Sequence, residues 1–123
     1  MGASILVVED DRDLRECLVD VLRAELPGVE VRHAADGREA LAAIEERAPA
    51  LVLLDMFMPV MNGEELLGEL ERRHPGPEPR VVILSAGDDD RTAPRPPRVV
   101  GALRKPVHVD QLLEAVQRWS AGG

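Results

Sequence analysis

Aromatic residues are almost absent from the chain: Phe57 and Trp119 stand alone and there is no tyrosine. The interior must then be filled by Leu, Val, Ala and Ile, the usual packing between a parallel sheet and its helices. Cysteine is as scarce. Cys17 has no partner in the chain, so no internal disulfide staples the fold, which suits a reducing compartment. Its helical spacing from Leu14, Leu18 and Val21 places it as a small core residue. No apolar run approaches the ~20 residues a membrane-spanning helix needs, and acidic residues at 9 to 11 leave no room for a signal peptide. A cytoplasmic protein is expected. Positive charge is also short: 15 Lys and Arg against 23 Asp and Glu leave a net charge of -8. With no basic stripe interleaved with aromatics, direct nucleic-acid contact by this domain is not expected.

What remains is a globular composition, 45% apolar and 31% charged over 123 residues. That length fits one domain, residues 1–123, able to remove roughly two thirds of its unfolded surface from water. Five short apolar runs read as strands. Ser4-Ile5-Leu6-Val7-Val8 is cut off by Glu9-Asp10-Asp11, and Leu51-Val52-Leu53-Leu54 ends on Asp55. Val81-Val82-Ile83-Leu84 stops at Ser85, and Val99-Val100-Gly101-Ala102-Leu103 runs into Arg104-Lys105-Pro106. Val29-Glu30-Val31 alternates, as a strand with one drier face would. Unbroken apolar runs bounded by turn signals mark strands buried on both faces.

Between the strands lie stretches of helical period: Leu14 to Leu22, closed by Pro27-Gly28; Ala40 to Ile44, opened by an Asp36/Glu39 capping box; Leu66 to Leu70; and Val109 to Val116. Alternation of this kind predicts right-handed crossovers and a doubly wound parallel sheet covered on both faces. The exception is residues 87 to 98, where prolines 94, 96 and 97 allow at most one helical turn. The segment is expected to be mobile until it is ordered by a change at the strand ends, its arginines 91, 95 and 98 then presented to an acidic partner or drawn toward an anion there.

In such a sheet the strand ends share one edge, so Glu9, Asp10, Asp55, Ser85 and Lys105 converge there. Alone, Asp55 suits an amide-bonding turn residue equally well. Three clustered carboxylates, however, repel one another unless a cation sits among them, and magnesium matches a supply of hard oxygen ligands without His or Cys. His33, His74 and His108 share no spacing and read as solvated.

Together Val7-Val8-Glu9-Asp10-Asp11, Leu53-Leu54-Asp55 through Asn62-Gly63, Leu84-Ser85-Ala86 and Lys105-Pro106 resemble the receiver domain of two-component response regulators, across residues 4 to about 119. The resemblance implies a flavodoxin-like sheet of order 2-1-3-4-5 in a single receiver domain, its fourth helix here short or missing. It implies a phosphorelay function, with Asp55 taking a phosphoryl group from the phosphohistidine of a sensor histidine kinase or phosphotransfer protein. Mg2+ would be held by Asp10, Asp55 and the Phe57 backbone carbonyl, with Glu9 acting through water. Lys105 and Ser85 would contact the phosphoryl group, and Asp11 would stay structural. Such a domain assists only its own phosphorylation and dephosphorylation and is no enzyme otherwise. Phe57 also occupies the position where aspartate-nucleophile phosphohydrolases carry a second acid.

Three departures bear on output rather than chemistry: the proline-rich stretch stands in place of the fourth helix, and two side chains differ from the family's. Ala102 stands three residues before Lys105, where the family usually has Tyr or Phe, and Val107 stands where Phe is common. They leave open a pseudo-receiver, a protein-binding module independent of phosphate, beside the competent receiver that passes its change to a downstream protein.

Overall fold

The computed structural model describes residues 4–86 and 95–120. In chain order these form β1 (Ser4–Val8), α1 (Arg12–Glu25), β2 (Glu30–Ala34), α2 (Gly37–Glu46), β3 (Leu51–Asp55), α3 (Gly63–Arg73), β4 (Arg80–Ser85), β5 (Val99–Arg104) and α4 (Val109–Ser120). All strand pairs are parallel, in the order β2-β1-β3-β4-β5. The doubly wound sheet expected from the alternating pattern is therefore the one that forms. The question of a fourth helix within 87–94 falls outside the described residues.

The two-residue period of the strands sorts the core into two layers. Leu6, Val8, Val52, Leu54, Val81 and Ile83 face α2 and α3, packing on Ala40, Leu41, Ile44, Leu66, Leu67 and Leu70. Ile5, Val7, Leu51, Leu53, Val82 and Leu84 face α1 and α4, packing on Leu18, Val19, Leu22, Leu112 and Val116. β3 is buried at every position because it lies mid-sheet with helices on both sides. Each such Leu or Val contributes about 1.5–3 kcal/mol by leaving water. Among the described residues, the sheet ends in β2 and β5, and β5 is half-exposed along its length, with Ala102 in the open.

Three local expectations change. Cys17 is exposed. Successive residues of a helix are about 100° apart, and α1 turns Leu18, Val19 and Leu22 to the sheet, which carries the preceding Cys17 around to the solvent side. The chain alternates as expected from Val29 to Val31, with Glu30 exposed and both valines in the α1/α4 layer, but β2 runs on to Ala34, which packs with the α2/α3 layer. At α2 the Asp36 side chain does cap Glu39 N, but Glu39 returns its hydrogen bond to Ala35 N, one residue ahead of the cap. A full reciprocal box forms instead at α3, between Asn62 and Glu65.

Arginines close the carboxyl ends of three helices. Arg32 donates to Ala43 O and Arg47 O at α2, and Arg80 to Trp119 O in the last turn of α4. Arg98 is completely buried. It donates to Leu70 O and His74 O at the end of α3, to Glu78 O and Pro79 O in the next loop, and pairs with Glu71 through Nε at 2.6 Å. The last carbonyls of a helix lack intrahelical donors, and a guanidinium with five N–H groups supplies several at once. Arg98 is thus spent inside the protein rather than presented to a partner. Arg95 pairs with Glu64 on the surface, and Arg91 lies outside the described residues.

Candidate functional site

Strand register brings the site together. Val8 lies opposite Ala34 and Leu54, Asp55 opposite Leu84, and Ser85 opposite Arg104. The residues just past β1, β3 and β5 therefore emerge on one edge with the ends of β3 and β4. Glu9, Asp10 and Asp55 each offer a carboxylate oxygen within 4.8 Å of the others. Asp10 is exposed, whereas Glu9 and Asp55 are buried, at 1% and 4% exposure. The cluster has one solvent-facing side, at Asp10.

Glu9 is held on every side. Its backbone N donates to Ala34 O at 3.1 Å, its carbonyl accepts from Arg15 Nη1 at 2.9 Å, and its Oε2 accepts from Asp11 N at 3.1 Å. Asp11 meanwhile caps α1, accepting from Asp13 N and Leu14 N. It therefore plays the structural part expected of it, and its side chain is turned to the helix. Asp55 Oδ1 accepts from Phe57 N at 3.2 Å, which folds the chain back over the carboxylate immediately after β3. The Phe57 side chain is 64% exposed.

Lys105 Nζ lies 2.8 Å from Glu9 Oε1 and 3.6 Å from Asp55 Oδ1. The family resemblance implies a lysine that contacts a phosphoryl group; in the structure Lys105 bridges two carboxylates and leans to Glu9. Its backbone N donates to Ser85 O at 2.7 Å, tying the tips of β4 and β5 together. Ser85 is buried at the end of β4, one residue beyond the partner of Asp55.

The electrostatics follow from burial. Desolvation is the largest influence on Asp55. The Phe57 amide and Lys105 oppose it, the Glu9 charge adds to it, and the carboxyl is pushed up to about 7. Burial would lower the Lys105 pKa, but the Glu9 carboxylate and then Asp55 outweigh it and hold it above its ordinary value. One ammonium thus pairs with two of the three clustered carboxylates. Glu9 Oε1, buried, meets that ammonium as an ion pair rather than through a well-directed hydrogen bond. A small, hard divalent cation fits this donor set, having oxygen ligands, room for water on the Asp10 side and surplus negative charge to neutralise.

The sequence pattern missed two contributors. Arg15 is a helical residue whose tether to the Glu9 carbonyl depends on how α1 crosses β1. Gly37 sits against Met61 in the loop that follows Asp55, far from it in sequence.

Comparison with known proteins agrees with this geometry. The response regulator receiver domain model matches residues 5–117. The chain is 39% identical over 109 residues to the response regulator receiver protein Anae109_2439 of Anaeromyxobacter sp. (strain Fw109-5), covering 89% of this chain and 45% of that protein. It thus spans about half the length of that curated relative. Among solved structures it resembles the receiver domain of NtrX from Brucella abortus, with 34% identity and a TM-score of 0.81 over 97% of this chain and 99% of that one. It also resembles chemotaxis response regulator CheY4 of Vibrio cholerae, with 28% identity and a TM-score of 0.81 over 96% and 98% of the two chains.

Proposed function

Because the chain belongs to the response regulator receiver domain family, we propose that it is a phosphorelay receiver that accepts a phosphoryl group on Asp55. The observation that carries this reading is a buried carboxylate at the end of the central strand, flanked by two further carboxylates and one lysine. An Asp55 oxygen attacks phosphorus, the phosphorus–nitrogen bond of the donor phosphohistidine breaks, and the imidazole leaves with its electron pair and is protonated. The product is an acyl phosphate on the protein. Only an ionised carboxylate attacks, so the raised pKa of Asp55 must be relieved before transfer.

Asp10, Asp55 and the Phe57 carbonyl would hold magnesium, with Glu9 acting through water, and the bound ion would supply charge neutralisation as the phosphate oxygens approach. Lys105, already within 3.6 Å of Asp55 Oδ1, exchanges its partner Glu9 for a phosphoryl oxygen. Ser85 donates a hydroxyl hydrogen bond from the tip of β4. Positive and hydrogen-bonding groups arranged in this way act most strongly where charge develops.

The donor is a sensor histidine kinase or a phosphotransfer protein, and the change is passed to a downstream protein. The domain turns over only its own aspartyl phosphate. We assign residues 1–123 to one receiver domain working in the cytoplasm, with no direct contact to nucleic acid. The test is intact mass after incubation with Mg2+ and a small-molecule phosphodonor. One added phosphate is expected on the native chain and none on Asp55→Asn. An Asp55→Asn protein that gains phosphate at the native rate overturns the assignment.

A further inference from the structure

The segment between Asp55 and α3 contains a backbone conformation the sequence gives no reason to expect. Val60 has φ of 67°. A β-branched residue there is sterically disfavoured, and strain of this type costs on the order of 1–3 kcal/mol. Met61 N donates to Pro59 O at 2.7 Å, closing a three-residue turn with Val60 at its centre. The Val60 side chain is 68% exposed, so no burial of that side chain compensates for the turn.

What the turn does accomplish is to aim the Met61 carbonyl at α2. Gly37 N, at the first residue of that helix, donates to Met61 O at 2.9 Å. The approach is so close that a Cβ on residue 37 would overlap the Met61 carbonyl oxygen and sit 2.8 Å from its Cγ. At its other end the segment is gripped by Gly63, whose N donates to Met56 O at 3.0 Å, and where a Cβ would fall 2.7 Å from Met56 Cα. Between the two grips lies Phe57, whose amide bonds Asp55 Oδ1. Strain is thus concentrated in the one short segment whose backbone meets the Asp55 carboxylate.

We propose that the Pro59–Met61 turn, clasped to Gly37 at the start of α2, is the positioning element that holds the Phe57 backbone against Asp55. The role of that backbone toward a cation rests on the magnesium reading above; its position against Asp55 does not. Because α2 follows β2 and the clasp reaches the loop after β3, the geometry of the acidic site depends on a helix that contributes no side chain to it.

The experiment is a backbone-amide NMR comparison of the metal-free proteins, followed by Mg2+ titration. Gly37→Ala breaks the clasp from α2. Val60→Pro breaks it from an exposed position, since proline cannot adopt positive φ, and so remains informative if the first variant does not fold. In both, the Phe57 amide resonance is expected to move before any metal is added. Mg2+ should bind about tenfold more weakly, the lower end of what loss of a supporting contact costs a metal site. Gly68→Ala, on α3 with nothing near its missing Cβ, should keep the native resonance and affinity. A purely structural role would lower the melting temperature of the clasp variants but leave the Mg2+ affinity of the folded protein unchanged, and that result overturns the proposal. If the native chain itself binds no Mg2+, the magnesium reading falls, and the Phe57 resonance alone decides whether the clasp positions the loop.

Discussion

Replacing Arg98 by Met should destabilise the protein far more than any surface arginine does. The substitution keeps an unbranched chain of similar reach, so it removes the guanidinium with little loss of packing. Arg98 is 0% exposed, while its carboxylate partner Glu71 keeps 42% of its side-chain surface in water. Glu71 is therefore rehydrated when the arginine goes, and the cost falls on the carbonyls. Leu70 O retains a bond from His74 N, but His74 O, Glu78 O and Pro79 O lose the donor that Arg98 supplied. At about 1 kcal/mol for each unsatisfied carbonyl, the loss is about 3 kcal/mol. For a chain of this size that lowers the melting temperature by about 12 °C. Arg95→Met is the matched control, because Arg95 pairs with a Glu64 that is 64% exposed, and such a pair contributes under about 1 kcal/mol. Thermal and urea unfolding of the two variants against the native chain measure the difference. Equal losses for Arg98→Met and Arg95→Met would refute the burial-based accounting.

Asp55 also makes stability depend on pH. Its folded pKa of about 7 lies above the ordinary 3.8, so the folded state binds the extra proton. The contribution is fully present below pH 3.8 and is lost as pH rises through 7, with a slope of at most about 1.4 kcal/mol per pH unit. Urea unfolding of the metal-free protein at pH 5 and pH 8 should show this loss, and Asp55→Asn should reduce it; an equal loss in the variant contradicts the assignment. The neighbouring acids should separate cleanly. Asp11→Ala removes the α1 cap, costing about 1 kcal/mol, and leaves Mg2+ affinity unchanged. Asp10→Asn, at an exposed carboxylate of the cluster, leaves stability nearly unchanged and weakens Mg2+ binding, and calorimetric titration giving the opposite pattern rejects the ligand set.

Why so much of the site was legible in a single chain is a matter of geometry. An apolar run that ends on a polar residue states both that a strand is buried and where it stops. In a parallel sheet every strand stops on the same edge. Glu9, Asp55, Ser85 and Lys105 could thus be grouped from four local patterns, and the sheet brings the three acidic residues and Lys105 within a few ångströms. The order β2-β1-β3-β4-β5 followed from the family resemblance, since local periodicity does not say which strand lies beside which.

What tertiary structure alone decided concerns groups whose role depends on what packs against them. Cys17 and Leu18 share a helix and an apolar character, and the direction α1 turns to the sheet sends one outward and the other in. Arg98 sits in a proline-rich polar stretch, where an arginine is normally solvated, yet the end of α3 and the loop after it surround its guanidinium with carbonyls. Lys105 leans to Glu9 rather than Asp55, a choice set by distances of 2.8 and 3.6 Å that no spacing encodes. Gly37 N and its acceptor Met61 O lie on separate elements. A backbone contact between the first residue of a helix and a loop leaves no periodic trace in side-chain chemistry, so the strain at Val60 is visible only once the chain is folded.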